Sequence, residues 1–237
     1  ESIKDRVEEL EEKSPPRPLG TPQEGNKYEM QDSELGPIPK GWRVTKLEKL
    51  IETISETYKF GDKKTIIFLN TSDILEGRVI NKEFSDINTL PGQAKKKIRK
   101  GDILFSEIRP ANKRYAFIDF DAEEYVVSTK LMVLRSKGIS PLMVYFYLTS
   151  DGVIKQLQHL AETRSGTFPQ ITFGQIKELE MILPSDDVLI QFVSILETTH
   201  QKISNNQHQS ATLAAIRDAL LPKLMNGEVG VALEEIV

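Results

Sequence analysis

The residues that could do chemistry in this 237-residue chain are scarce or badly spaced for it. Cysteine is absent, so thiol catalysis, thiolate metal sites and disulfides are excluded. No two of the three histidines, His159, His200 and His208, fall within one helical turn of each other. A metal site built on one of them would need two distant carboxylates, and no metal or cofactor is expected. A metal-dependent nuclease wants an Asp and a Glu-x-Lys close together on strand ends. The one Glu-x-Lys, Glu11–Lys13, sits on a possible short helix beside a proline-rich linker. Gly-x-Gly-x-x-Gly, P-loop and Gly-x-Ser-x-Gly patterns are missing, as is the Asn-Pro-Pro-aromatic motif of an adenine-N6 methyltransferase. These absences point to a binding protein without a catalytic centre of its own.

The cations carry more information. The formal net charge is −4, but it is segregated. Residues 1–34 hold five cationic against ten anionic side chains, residues 58–177 nineteen against thirteen, and residues 178–237 three against nine. A basic middle between acidic ends is either a solvated surface or a face that meets a polyanion. Its densest part is Lys95, Lys96, Lys97, Arg99 and Lys100, five cations in six residues, joined by Lys63 and Lys64. Such a cluster supplies salt-dependent, sequence-independent affinity for a nucleic-acid backbone. Two polar loops add groups that can read base edges. One is Arg109-Pro110-Ala111-Asn112-Lys113-Arg114; the other runs from Arg164 through Thr167 to Gln170. Arg pairs with guanine and Asn with adenine through two hydrogen bonds. Lys130, within an apolar run, is either a contact or a strand-edge residue.

These residues need elements to hold them. Residues 65–69, 102–108, 115–120 and 125–134 are rich in β-branched and aromatic residues and read as strands. Trp42 is expected to be packed. Ser140-Pro141 opens a helix, Asp151-Gly152 interrupts it, a second helix covers about 153–162, and a polar loop spans 163–170. Residues 179–183 give a last strand. The first 14 residues allow a short amphipathic helix, followed by a Pro/Gly linker. The apolar run 138–150 is too short to span a membrane and the acidic N-terminus lacks the apolar run of a secretion signal, so a cytoplasmic protein is expected.

From Ser185 the pattern changes. Ser185-Asp186-Asp187 is a helix start, with carboxylates against the positive end of the dipole. No Pro or Gly follows until Pro222, so a helix of 35 residues, about 52 Å long, is expected over 187–221. Leu189, Phe192, Leu196, Thr199, Ile203, Asn206, Ser210, Leu213, Arg217, Leu220 and Leu224 alternate in steps of three and four, with Ile216 taking the place of the misfit Arg217. That is a heptad seam with a polar centre, and Asn206 either fixes register or is solvated. The helix either lies across its own domain or needs a partner helix, from this chain or another.

Several segments, in order, resemble the specificity (S) subunit of type I restriction–modification systems. They are Asp32 through Pro37-Ile38-Pro39-Lys40-Gly41-Trp42; Lys100-Gly101-Asp102-Ile103-Leu104-Phe105 through Arg109-Pro110; Val127-Ser128-Thr129-Lys130; Ser165-Gly166-Thr167 through Gln170-Ile171; Leu183-Pro184; and Leu220-Leu221-Pro222-Lys223-Leu224 through Val229. The resemblance spans about 32–229. It implies an α+β fold: a β-rich target-recognition domain with a few helices at 35–184, then a conserved helical spacer at 185–229 that pairs as an antiparallel coiled coil. Residues 1–34 would be an acidic segment and linker, and 230–237 a tail. The family's recognition domains read double-stranded DNA, and its helices dock methylation (M) subunits, with a restriction (R) subunit able to join. A full-length subunit usually has two recognition domains and two spacers; here there is one of each. A second copy running antiparallel would restore the pair, and a homodimer would read two halves of an interrupted palindrome. The rival is a coiled-coil interaction scaffold whose basic domain binds a protein. A nuclease or methyltransferase acting alone lacks every motif sought.

Overall fold

The computed structural model describes residues 29–164 and 167–229. The Glu11–Lys13 pair, the possible N-terminal helix and the 230–237 tail lie outside them. In chain order the strands are β1 (Met30–Gln31), β2 (Ile38–Pro39), β3 (Arg43–Lys46), β4 (Ile51–Thr53), β5 (Thr65–Leu69), β6 (Ile74–Leu75), β7 (Arg78–Val79), β8 (Phe84–Asp86), β9 (Ala94–Lys97), β10 (Ile103–Ser106), β11 (Tyr115–Phe117), β12 (Tyr125–Ser128) and β13 (Leu131–Ser136). Three helices, α1 (Pro141–Thr149), α2 (Asp151–Arg164) and α3 (Phe173–Ile176), precede β14 (Glu180–Leu183), and α4 (Asp186–Met225) follows it.

The chain divides into two compact units, residues 29–44 with 182–185, and residues 45–181 with 186–229. These cuts differ from the boundaries at 34/35 and 184/185 read from the sequence, because the first turns of α4 pack on α1 and α4 is therefore grouped with the recognition body. In the smaller unit β1 and β2 pair antiparallel around a turn closed by Gly36 N–H donating to the Ser33 carbonyl at 3.0 Å. Gly36 has φ +95°, a conformation that glycine adopts without strain. Trp42 is half-buried, and its carbonyl accepts from Gln31 Nε2 at 2.6 Å.

In the larger unit two four-stranded sheets share one core. The first has the order β11-β10-β13-β4, all antiparallel; the second has the order β8-β5-β12-β9, in which β5 and β12 run parallel. Ile67, Leu69 and Val127 of the second sheet meet Leu104, Ala116, Leu131 and Val133 of the first. Alternate residues Ile66 and Val126 face the other way, onto Tyr58 and Ala94, as the two-residue strand period requires. The start of β10 is locked by a buried ion pair: Arg135 Nε and Nη2 donate to the Asp102 carboxylate at 2.8 and 2.9 Å. The backbone N–H of Arg99 donates to Asp102 Oδ2 at 2.9 Å.

Two strand readings need correction. Residues 125–134 are not one strand but β12 and β13, which belong to different sheets. The turn between them is held by buried Ser128, whose Oγ accepts from Lys130 N–H at 3.2 Å. The lysine run is itself a strand, β9, at the edge of its sheet. That edge is covered by residues 56–58, for Tyr58 N–H donates to the Lys95 carbonyl and Lys97 N–H to the Glu56 carbonyl, at 2.7 and 2.8 Å. Helix α1 starts where Ser140-Pro141 indicates, although the Ser140 side chain makes no capping bond. The break between α1 and α2 falls at Ser150, and α2 runs on to Arg164, so Thr163 and Arg164 are helical rather than part of a loop.

Helix α4 has 40 residues, about 60 Å at 1.5 Å per residue. It passes through Pro222, where the sequence suggested an end; the proline lies three residues before the helix's last residue, Met225, and forfeits one intrahelical N–H bond. Among the described residues no helix is long and apolar enough to cross a membrane.

Candidate nucleic-acid interface

The two polar loops meet. Arg109 N–H donates to the Pro169 carbonyl at 3.1 Å, Ile171 N–H donates to the Glu107 carbonyl at 2.8 Å, and Ile108 and Gln170 form an antiparallel bridge. Residues 107–109 and 169–171 thus form a short two-stranded ledge beyond the end of β10. Its backbone is fixed from three sides. Buried Ser106 accepts at Oγ from Ile108 N–H at 3.1 Å. Glu107 N–H points to the Lys130 carbonyl at 3.4 Å. The turn Pro110–Asn112 is held by Gln158 of α2, whose Oε1 accepts from Ala111 N–H at 3.0 Å. Arg109 and Lys113, at either end of that turn, have φ +43° and +52°. Left-handed backbone at a non-glycine residue is strained, and it persists because the neighbouring bonds determine it.

Arg109 of this ledge is exposed, as are Asn112 in the adjoining turn, Lys130, whose carbonyl faces Glu107 N–H, and Thr167, two residues before the second strand; Gln170 is half-buried. Arg164 ends α2, and its side chain lies outside the described residues. Two neighbours in the loop are already engaged. Lys113 Nζ lies 3.7 Å from Glu76 and 3.8 Å from Asp151, and Arg114 Nη1 donates to the carbonyls of Ser72 and Ile74 at 3.2 and 3.1 Å.

The remaining cations lie elsewhere. Val126 is opposite Lys97 and Ser128 opposite Ala94, while Tyr125 is opposite Ile67. By this register Lys63, Lys64, Lys97 and Arg99 gather toward the start of β12, and the ledge with Lys130 lies toward its finish. Lys63, Lys64, Lys95 and Arg99 are exposed. Lys97 pairs with Glu56 at 3.2 Å, an exposed contact. Lys96 is half-buried and donates to the Leu131 carbonyl at 2.7 Å; burial pulls its pKa below the usual lysine value, opposed by the charge of Glu107.

Sequence reasoning passed over Gln158, which positions the Arg109 turn, because nothing in a helical Gln announces its partner 47 residues away. It also gave no weight to Phe168, an aromatic 52% exposed at the tip of the second loop. An aromatic in an otherwise polar loop was the available signal.

The spacer helix splits in two. Leu189, Val193, Leu196, His200 and Ser204 are half-buried along one face. His200 packs edge-on to Phe117 with ring centroids 5.1 Å apart and lies near Phe146 at 6.5 Å. Its Nε2 is 3.2 Å from Asp119 Oδ2, which also accepts from Ser204 Oγ at 3.0 Å. Beyond Ser204 almost every residue is exposed. Of the expected seam, Leu189 and Leu196 turn to the body instead, because the docked face lies about a quarter-turn round the helix. Phe192, Ile203, Leu213, Ile216 and Leu220 remain exposed as an apolar stripe, with Asn206 exposed among them.

A family model for the type I restriction modification DNA specificity domain matches residues 39–215. The chain is 39% identical over 181 residues to the type I restriction enzyme HindI specificity subunit of Haemophilus influenzae, covering 76% of this chain and 39% of that subunit. It is 26% identical over 200 residues to the MjaIX specificity subunit of Methanocaldococcus jannaschii, covering 82% and 46%. Its fold is similar to the crystal structure of the HsdS subunit from Thermoanaerobacter tengcongensis, with a TM-score of 0.57 at 23% identity over 84% of this chain and 52% of that one. The S subunit from M. genitalium gives 0.52 at 13% identity, over 78% and 46%. The chain therefore spans less than half the length of the curated relatives it matches. With a β-rich body, one long helix and a family match over three quarters of its residues, the chain belongs to the type I restriction modification DNA specificity domain family.

Proposed function

We propose that this chain is the sequence-reading, non-catalytic part of a type I restriction–modification complex, acting in the cytoplasm on double-stranded DNA. The observation that carries this reading is the ledge, where two loops far apart in sequence meet and leave Arg109, Asn112, Lys130 and Thr167 exposed together. Arg and Asn offer paired hydrogen bonds to guanine and adenine edges, while the lysines nearer the start of β12 supply backbone attraction. Methylation subunits, which would bring the chemistry, and a restriction subunit dock on the helical part. The free apolar stripe of α4 pairs antiparallel with that of a second copy, so that each protomer reads one half of an interrupted, two-fold symmetric site.

Duplex binding tests this directly. Affinity for a selected duplex should fall steeply between about 50 and 200 mM salt and survive competition by scrambled duplex. Arg109→Ala should relax specificity at one position by about 1–3 kcal/mol, whereas Lys64→Ala should weaken all duplexes alike and lower the salt slope by about one. Equal affinity for every duplex, with methylation subunits present, would refute the reading. Tight capture of an acidic protein without duplex binding would favour the interaction scaffold.

A further inference from the structure

The ledge holds one side chain of the wrong sign for a surface that meets phosphates. Glu107 opens its first strand: its N–H points to the Lys130 carbonyl, its carbonyl accepts from Ile171, and Arg109 is two residues on. The side chain is partly exposed. Among the described side chains it forms no ion pair or hydrogen bond. Lys96 feels its charge but donates from Nζ to the Leu131 carbonyl instead. A carboxylate left this way among Arg109, Lys130 and Lys96 weakens attraction to any DNA backbone, by repulsion in a setting where neighbouring cations are meant to attract. It also becomes costly to desolvate unless a donor meets it in the complex. The donors a duplex presents in its major groove are the exocyclic amino groups of cytosine (N4) and adenine (N6), and of these a carboxylate alone suits cytosine, since adenine also presents the N7 acceptor beside its amine.

We propose that Glu107 is a base-reading residue that accepts a hydrogen bond from the exocyclic amine of a cytosine, and so selects one position of the target by rejecting alternatives as well as by binding. This deepens the DNA-reading assignment above and rests on it. The backbone around Glu107 suits the task. Ser106, the Lys130 carbonyl and Ile171 fix residues 106–108 before any ligand arrives, so the carboxylate is presented without a loop having to order.

The test is selection of duplexes from a library with a randomised central region, by the 237-residue chain and by its Glu107→Gln and Glu107→Asp variants, each checked for an unchanged melting temperature. The unsubstituted chain should enrich a motif with one invariant cytosine that depends on Glu107. Glu107→Asp keeps the charge but withdraws it by one methylene, and should lose about tenfold of the preference at that position alone. Glu107→Gln keeps the length, gains a donor, and should shift the same position toward adenine. An unchanged motif with uniformly tighter binding by Glu107→Gln would overturn the proposal and leave Glu107 as a repulsive neighbour of phosphates, with the DNA-reading assignment intact. No enriched motif for the unsubstituted chain, with methylation subunits present, would overturn that assignment, and this proposal with it. If either variant melts lower, the Asp variant's motif is read at a temperature where both chains are folded, and a retained cytosine there overturns the proposal.

Discussion

The first and second halves of α4 carry the same three–four apolar rhythm and use it in different ways. Up to Ser204 one face lies against the body, with His200 between Phe117 and Phe146 and two side chains bonded to Asp119. Beyond Ser204 the same helix projects with Leu213, Ile216, Leu220 and Leu224 uncovered. In the docked half the apolar residues divide between two faces, so one surface is satisfied within the chain and Phe192 and Ile195 remain outside. In the projecting half every large apolar residue is outside. The same apolar rhythm is thus partly covered within the chain in one half and left uncovered in the other, and the body's own reach decides where the change falls.

Substitutions in the two halves should separate these roles. The largest effect is expected from Leu213→Glu, which puts a charge into the free stripe at a residue 65% exposed. If the stripe pairs as proposed, it should halve the mass in light scattering while the fold of the body is kept; an unchanged mass would remove the stripe from the proposed interface. Leu196→Glu, on the docked face, should do the reverse: the mass is kept, and stability falls by about 1–3 kcal/mol through burial of an unpaired charge, read as a lower denaturant midpoint. Asp119→Asn should cost about 1 kcal/mol by weakening the bonds to His200 and Ser204, and should speed amide exchange in the docked half. If exchange accelerates equally along all of α4, the two halves are not distinct.

The smallest effect is a pH dependence to which a tyrosine beside the docked half contributes. Tyr145 lies against Phe117 and Phe146, and burial, ahead of the charges of Tyr115 and Asp119, pushes its hydroxyl well above the ordinary tyrosine value. A pKa raised on folding means that the native state holds the proton more tightly. The associated stability is fully present below the unfolded value of about 10 and is lost as pH rises through the folded one. The denaturant midpoint should therefore fall above pH ~10, and Tyr145→Phe should flatten that fall. Gly77 limits what else can change there: a side-chain carbon at this position, φ +85°, would come within 2.5 Å of the Tyr145 hydroxyl.

The parts of the fold legible in the sequence are those with local causes. Helix α4 follows from a capping start and 35 residues free of Pro and Gly, and β5 from Thr65–Leu69, a β-branched and apolar run. Its continuation through Pro222 was not legible, since a proline near a helix end forfeits only one bond. The division of 125–134 into two strands was hidden because both strands are buried on each face and the turn contains neither Gly nor Pro; only the Ser128 hydroxyl marks it. Lysine is a poor strand former, so Lys95–Lys97 read as a charged surface rather than as β9. The polar loops of the candidate site were visible as composition, and their meeting was not, because the bonds joining 107–109 to 169–171 cross about 60 residues of chain.

The Asp119 contacts also set leverage. Ser204 is the last residue of α4 bonded through its side chain to the body, and Met225 ends the helix 21 residues later. Those residues make an arm of about 32 Å, so a tilt of about 10° at Asp119 would swing its tip by about 5–6 Å, more than the ~3.4 Å between successive base pairs. A pivot made of two hydrogen bonds and a histidine wedged between two phenylalanines is thus the point at which, in the proposed dimer, the separation of the two reading surfaces would be tuned or lost.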